Sequence, residues 1–440
     1  MHNNFKPLTL AVAVATAALS GQAMAGAFQL NEQGVSGQGT SNAGRASTVT
    51  DATIVFGNPA GMSFLDRAQV TAGTAFLTVD TDIKNADGSA TGSNEGDMVP
   101  DTFIPFGFYV QPINDNLHFG LGVYAPFGLI TDYEGQFQGR FFGDRSKVEV
   151  VTVQPTISVK FSEQFSAGFG LTYNQIDGEL TANTPGGPVG AFAANGAPLP
   201  GTTPGIAGEG DVDVEGDDNA WGFTFGAMYK PWEHTTFGFA YHSEVEYDLE
   251  GKARFTNVRA AQPGPVPGSV AAGTFSQQTD ADLSITLPEV WDFSVTHELN
   301  DRWTVMAGAA MTNWSEFDEI RVENDVSEIV EAQNYEDSWQ YSIGTAYQLN
   351  PQWVLRTGLA YDETPIKDEY RSVRVPSDDR IIFSLGAGWT PTPDLTVDVA
   401  YSYIHESDAE LSQEEENRGT YEADFENTAQ AFGAQLTYRF

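Results

Sequence analysis

The chain contains no cysteine, which rules out a disulfide framework, a thiolate metal site and a lipid anchor after processing. Basic residues are scarce: 21 Lys and Arg stand against 60 Asp and Glu, for a formal net charge of -39. A chain so anionic is repelled by phosphate backbones, which argues against nucleic-acid binding. Long apolar runs are missing beyond the amino terminus, where no window of roughly 18 apolar residues occurs, so helical membrane spans are excluded. The mean hydropathy of -0.27 agrees. It leaves a β-barrel open, since only one face of each barrel strand meets lipid. Reaction motifs are absent too. There is no GxSxG elbow, phosphate loop or zincin motif, and the six histidines show no metal-ligand spacing. Residues 211–216 resemble the start of an EF-hand loop, but Gly222 holds the twelfth position, where a bidentate Glu is required. No catalytic residue, metal or cofactor is expected.

The amino terminus carries Lys6, an apolar stretch over residues 8–19 and the small-x-small set Ala23, Met24 and Ala25. That pattern predicts a signal peptide over residues 1–25, the mature chain starting at Gly26. Residues 26–66 follow without strand periodicity. Their glycines, serines and asparagines permit tight irregular backbone, tolerated at membrane depth only when enclosed by protein. Phe28, Leu30, Ile54, Val55, Phe56, Met62, Phe64 and Leu65 are too many apolar groups to leave in water. The segment is expected to be a plug, or hatch, inside a barrel formed by residues 67–440.

From Ala68 onward the period is two. Trp339, Tyr341, Ile343, Thr345, Tyr347 and Leu349 alternate with Gln340, Ser342, Gly344, Ala346 and Gln348. An off-face so rich in Gly, Ser, Thr and Gln suits a lumen, placing the apolar face against lipid. About fourteen such segments are legible. Short polar turns alternate with long connections over residues 178–219, 251–280, 315–338 and 405–427, read as solvated acidic loops. Aromatics gather near strand ends, as two interfacial belts require. The expected fold is therefore all-β: a transmembrane antiparallel β-barrel of about 14 strands whose lumen is closed by an amino-terminal plug.

The predicted third strand contains Tyr124, Ala125, Pro126, Phe127 and Gly128. Proline removes a ladder donor and glycine weakens pairing, so a bulge, bend or gap is expected there. Pro155 of the fourth strand is expected to face the same gap. An apolar solute could leave sideways at that point, or the feature could be a bulge with no role in transport.

The chain resembles the FadL family of long-chain fatty-acid outer-membrane transporters, which also includes aromatic-hydrocarbon importers. The resemblance rests on Phe28 to Glu32, on Asn58, Pro59 and Ala60, on Pro126 to Leu129, and on Ser243 to Val245. It continues through Leu287 to Glu289 with Trp291, Trp314 and Ser315 with Phe317, Arg356 to Gly358, Asp379 with Arg380, and the terminal Phe440. It implies a hatch, a kinked third strand that opens laterally beside the turn at Asn58, and energy-independent passage from capture at extracellular loops to an apolar pocket and out into the membrane. It further implies that Phe28 touches the ligand tail and that Arg321 meets a carboxylate; the alternative for Arg321 is a loop arginine paired with a local acid such as Glu319 or Glu323. One departure stands out: the family's second cation falls near Ala182, where this chain has no base. The implied partners are a long-chain fatty acid or other hydrophobic small molecule and outer-membrane lipid, for a monomer in the outer membrane of a Gram-negative bacterium. Uptake of aromatic or alkane hydrocarbons is the alternative substrate reading. A surface adhesin or phage receptor is the alternative from another class.

Overall fold

The structure, a computed structural model, describes residues 27–440 other than 194–196, 201–204, 264 and 327. The expected signal peptide lies outside the described residues. The first wall strand, Gln69–Gly88, pairs antiparallel with the last, Gly419–Arg439, and this pairing closes a 14-strand barrel. Strands two to six are Thr102–Asn114, Leu117–Tyr124 continued by Gly128–Asp132, Arg145–Ser162, Phe165–Thr184 and Gly210–Trp232. Strand seven is Thr235–His242 continued by Val245–Pro263, and strand eight is Val270–Leu287 continued by Val290–Glu298. Strands nine to thirteen are Trp303–Thr312, Ser338–Asn350, Trp353–Asp362, Arg380–Thr392 and Leu395–Glu406. Each pairs antiparallel with its chain neighbours, so the barrel wall has no free edge to aggregate.

Alternation decides the two faces. Ile343, Leu385 and Leu436 point outward and are exposed, while their neighbours Ser342, Ser384 and Thr437 are buried within. Only an apolar solvent outside makes that arrangement favourable. Three of the four long connections turn out differently from expectation. Strands five to eight and fourteen continue far into residues 178–219, 251–280 and 405–427. Residues 315–338 carry a short ladder between Glu319–Asn324 and Ile329–Ala332. The cause is an inversion of polarity along one strand. Phe223 and Trp221 of strand six point outward, and so, further along the same face, do Asp217, Glu215 and Asp213, while Val214 and Val212 turn inward. Beyond the membrane the outer solvent is water, so the period persists while its sign reverses, and acids that read as loop belong to strand.

The segment ahead of the barrel carries helical turns at Val35–Gln38 and Ile54–Gly57 and a 3-10 helix at Pro59–Phe64. Asn58 caps the last by accepting the Ala60 N–H at 3.0 Å, and Pro59 sits at the first helical position, where a missing donor costs nothing. Contacts of this segment run around the inside of the wall, and glycines allow its backbone to approach. A Cβ on Gly238 would stand 1.9 Å from the Ala46 carbonyl oxygen, and one on Gly226 2.0 Å from Asn58 Oδ1. Charge fixes the rest. Arg45 pairs with the lumen-facing Asp292 at 2.7 Å, and Asp51 accepts from Ser36 and Gln435, both at 2.9 Å.

Candidate functional site

The third strand stops at Tyr124 and resumes at Gly128, leaving the peptide groups of Ala125, Pro126 and Phe127 without a regular ladder. The segment ahead of the barrel supplies their partners. Gln33 Nε2 donates to the Ala125 carbonyl. The Leu30 N–H donates to the Pro126 carbonyl at 2.9 Å, and the Gly128 N–H to the Phe28 carbonyl at 2.9 Å. Phe127 is retained by strand four, its carbonyl accepting the Val150 N–H at 3.1 Å. Buried peptide groups need such partners, so hatch and break are one hydrogen-bonded unit. Pro155 does not belong to it: it pairs with Leu121 and its side chain is exposed, because its register places it below the break.

Phe28 lies at the centre of an aromatic cluster. Its ring is edge-on to Trp314 at 4.8 Å, to Phe317 at 5.6 Å and to Phe127 at 6.2 Å. Beside it is a cavity of about 60 Å³ lined by Leu129, Ile176, Leu249, Ile285 and Phe317. The lining is mostly aliphatic and aromatic, suited to a hydrocarbon tail, with Lys147, Glu179, Asp282 and Arg374 at its margin. Trp314 and Phe317 get there because strand nine breaks into a 3-10 turn at Trp314–Glu316 that folds inward.

Asn58, Pro59 and Ala60 lie on another side of the lumen. Asn58 Nδ2 donates to the carbonyls of Ala46 at 2.6 Å and Ala227 at 3.1 Å. The Ala60 carbonyl accepts the hydroxyls of Ser158 at 3.1 Å and Ser166 at 2.9 Å. These bonds anchor the turn to strands four, five and six rather than to Ala125 through Gly128. The link between the two runs through Phe56, whose ring meets Tyr124 at 5.0 Å.

Arg321 is not brought to Phe28. It lies on Glu319–Asn324, ion-paired with Glu319 at 2.7 Å and with Glu328, while its neighbour Ile320 lines the cavity. The two side chains alternate across the ladder, so an inward Ile320 puts Arg321 outward. A different arginine reaches the cavity. Arg374 borders both the apolar cavity and an outer cavity of about 550 Å³, whose walls include Val212, Phe255, Val322 and Arg418. Glu331 binds Arg374 at 2.9 Å and Arg418 at 3.4 Å. Burial pushes the Glu331 carboxyl up, but the two guanidiniums outweigh it and hold the group below its ordinary range. Nearby, burial and the charges of Asp132 and Asp211 raise Asp144 to about 6. Sequence reasoning passed over Arg374; its available signal was a pair of arginines, Arg371 and Arg374, in a chain with few bases. Ala182 also lines the outer cavity, which therefore draws its cations from other loops.

Residues 16–440 match the family described as outer membrane protein transport protein (OMPP1/FadL/TodX). The long-chain fatty acid transport protein of Salmonella typhi is 28% identical over 437 residues, covering 98% of each chain. Outer membrane protein P1 of Haemophilus influenzae is 29% identical over 430 residues, covering 91% of this chain and 90% of the relative. Among solved structures, a Pseudomonas aeruginosa FadL homologue superposes with a TM-score of 0.81 at 25% identity, covering 94% of this chain and all of the other. The Ralstonia pickettii toluene transporter TbuX shares the fold, with a TM-score of 0.65 at 18% identity over 92% of this chain and 98% of its own. These are transport channels rather than enzymes. A closed, lipid-facing barrel and a family match over nearly the whole chain lead to one conclusion: this protein belongs to the FadL and TodX family of Gram-negative outer-membrane transport proteins.

Proposed function

We propose that the protein carries long-chain fatty acids passively across the outer membrane. The observation that carries this reading is the double role of one hatch strand: Phe28 packs into the apolar cavity while the backbone of residues 28–30 closes the third strand. A hydrocarbon tail that displaces the Phe28 ring draws on the same segment that seals the break at Ala125, Pro126, Phe127 and Gly128, so filling the site loosens the exit. Asn58, Pro59 and Ala60 hold the far end of the hatch against the wall during that movement. The hatch interior supports a sideways exit. The cavity crossing it is lined by Asn31, Thr40, Asn42, Arg45 and Arg356. An acyl chain entering it would leave apolar surroundings for polar ones, whereas the break opens towards lipid. Capture belongs to the outer cavity, whose apolar side chains and three guanidiniums, of Arg259, Arg374 and Arg418, match a carboxylate-ended amphiphile.

Labelled oleate and toluene uptake in a deletion strain tests the substrate. Loss of oleate uptake alone supports the reading, and loss of toluene uptake alone replaces it with hydrocarbon import, which the mostly apolar lining near Phe28 favours. Replacing Pro126 by Ala tests the route: oleate uptake falls in a folded barrel if the break is the exit and is unchanged if it is not.

A further inference from the structure

We propose that the wall has a second lateral window, between strands six and seven, through which uncharged apolar solutes pass between the lumen and the outer leaflet. The proposal rests on the transport reading above. The ladder joining these strands runs from Thr235 opposite Trp232 to His242 opposite Thr224, stops, and resumes at Glu250 opposite Asp217. Across the interval, Val245 to Leu249 follow strand eight and Asp218 to Phe223 follow strand five. Bonds that span the break are few. Ser243 and Phe223 exchange two, each 2.9 Å long, one of them through the serine hydroxyl, and the Asp248 N–H donates to the Asp218 carboxylate at 2.9 Å.

Unpaired edges are costly where water is excluded, so a barrel that interrupts its ladder needs another closure. Here side chains supply it. A Cβ placed on Gly222 would meet Val245 Cγ2 at 2.9 Å and Ser243 Oγ at 2.9 Å, which puts the valine and the serine over the opening. Rotation of small side chains opens such a seal without breaking a ladder. Strand eight is irregular at the same height: its pairing with strand seven skips from Leu287 to Val290 across Pro288, which has no donor.

The lumen side is ready for a solute. One cavity touches Tyr124, Pro126 and Phe127 at the third-strand break and Phe223, Val245 and Tyr247 at the new one. A solute held there faces two exits. Their chemistry differs, because Glu244, Glu246 and Asp248 stand exposed around the second opening and would repel a carboxylate. Outward aromatics at Trp221 and Tyr241 place the window at the interfacial belt.

The natural absence of cysteine makes the test clean. In Gly222→Cys/Val245→Cys the Cβ built on residue 222 lies 2.9 Å from the Val245 Cγ2 position, within reach of a disulfide that pins strand six to strand seven. Uptake of labelled methyl oleate and labelled oleate is compared in cells carrying the full-length variant, oxidised and after phosphine reduction, the cross-link being confirmed by mass. The expected result is a several-fold fall in the ratio of ester to oleate uptake on oxidation, restored by reduction. Val245→Trp, which fills the opening without a cross-link, should lower the same ratio. Equal ester uptake in oxidised and reduced protein overturns the window, and parallel loss of oleate overturns its charge selection. A wild-type barrel that moves neither solute overturns the transport reading instead.

Discussion

At the residue scale, Phe28 joins aromatic packing to the backbone bonds that close the third strand. Its ring is 2% exposed among three aromatic partners, and its carbonyl accepts the Gly128 N–H. Phe28→Ala removes the packing and spares the carbonyl, so the hatch strand should lose about 3 kcal/mol of its hold. Hydrogen exchange at Gly128 should then quicken in folded protein. The loop carboxyls give opposite pH responses. Asp144, raised to about 6 mainly by burial, takes up a proton more readily folded than unfolded. Its region therefore gains protection as pH falls from 7 towards about 4, the usual carboxylate value. Asp144→Asn should abolish that gain in exchange measurements. Glu331, held low by Arg374 and Arg418, contributes stability above its unfolded value and loses it on acidification below about 4. Proteolysis near Ile329–Ala332 should rise only in that lower window.

At the element scale, the hatch is irregular chain held by a few buried polar contacts rather than by a core of its own. Arg45 and Asp292 are almost fully enclosed. Removing one partner strands the other in a low-dielectric site, so Asp292→Ala should weaken hatch seating by about 3 kcal/mol. Conductance of small ions in planar bilayers should rise, with the barrel still folded. Gly238→Ala probes the same seat sterically, because the added methyl lies 1.9 Å from a hatch carbonyl that must move. Raised conductance is again the expected outcome, and unchanged conductance would argue that the hatch has slack.

For the whole molecule, stability is set by two solvents. Ile343 is 61% exposed on the membrane face. Arginine at such a site costs roughly 2 to 4 kcal/mol near the bilayer midplane. Ile343→Arg should lower the unfolding free energy in liposomes by that amount, read from denaturant curves, and Glu215→Arg, at an exposed site beyond the membrane, should cost far less.

How much of this was legible depended on whether a rule was local. Strand existence followed from alternation at positions such as Trp339 to Leu349, because each residue carries its own preference for lipid or lumen. The extent of strands five to eight was not legible, because Asp213 and Glu215 mark the same face as Phe223 only after the membrane boundary is known. The aromatic site is half legible: Phe28, Pro126 and Phe127 carry its signal in the chain, whereas Trp314 and Phe317 mark only the family resemblance and join the site through an inward turn. Arg321 and Arg374 exchanged importance because which loop arginine faces the cavity depends on ladder parity and on Glu319, Glu328 and Glu331.

The sequence by itself determined the barrel, its membrane orientation of faces and the weakness at Pro126, all of which are written in period and donor count along the chain. Only the tertiary structure decided that the backbone of residues 28–30 repairs that weakness, that buried carboxylates hold the amino-terminal segment, and that the ladder between strands six and seven is interrupted. Those are contacts between residues scores to hundreds of positions apart, and no local preference encodes which distant partner a backbone group will find.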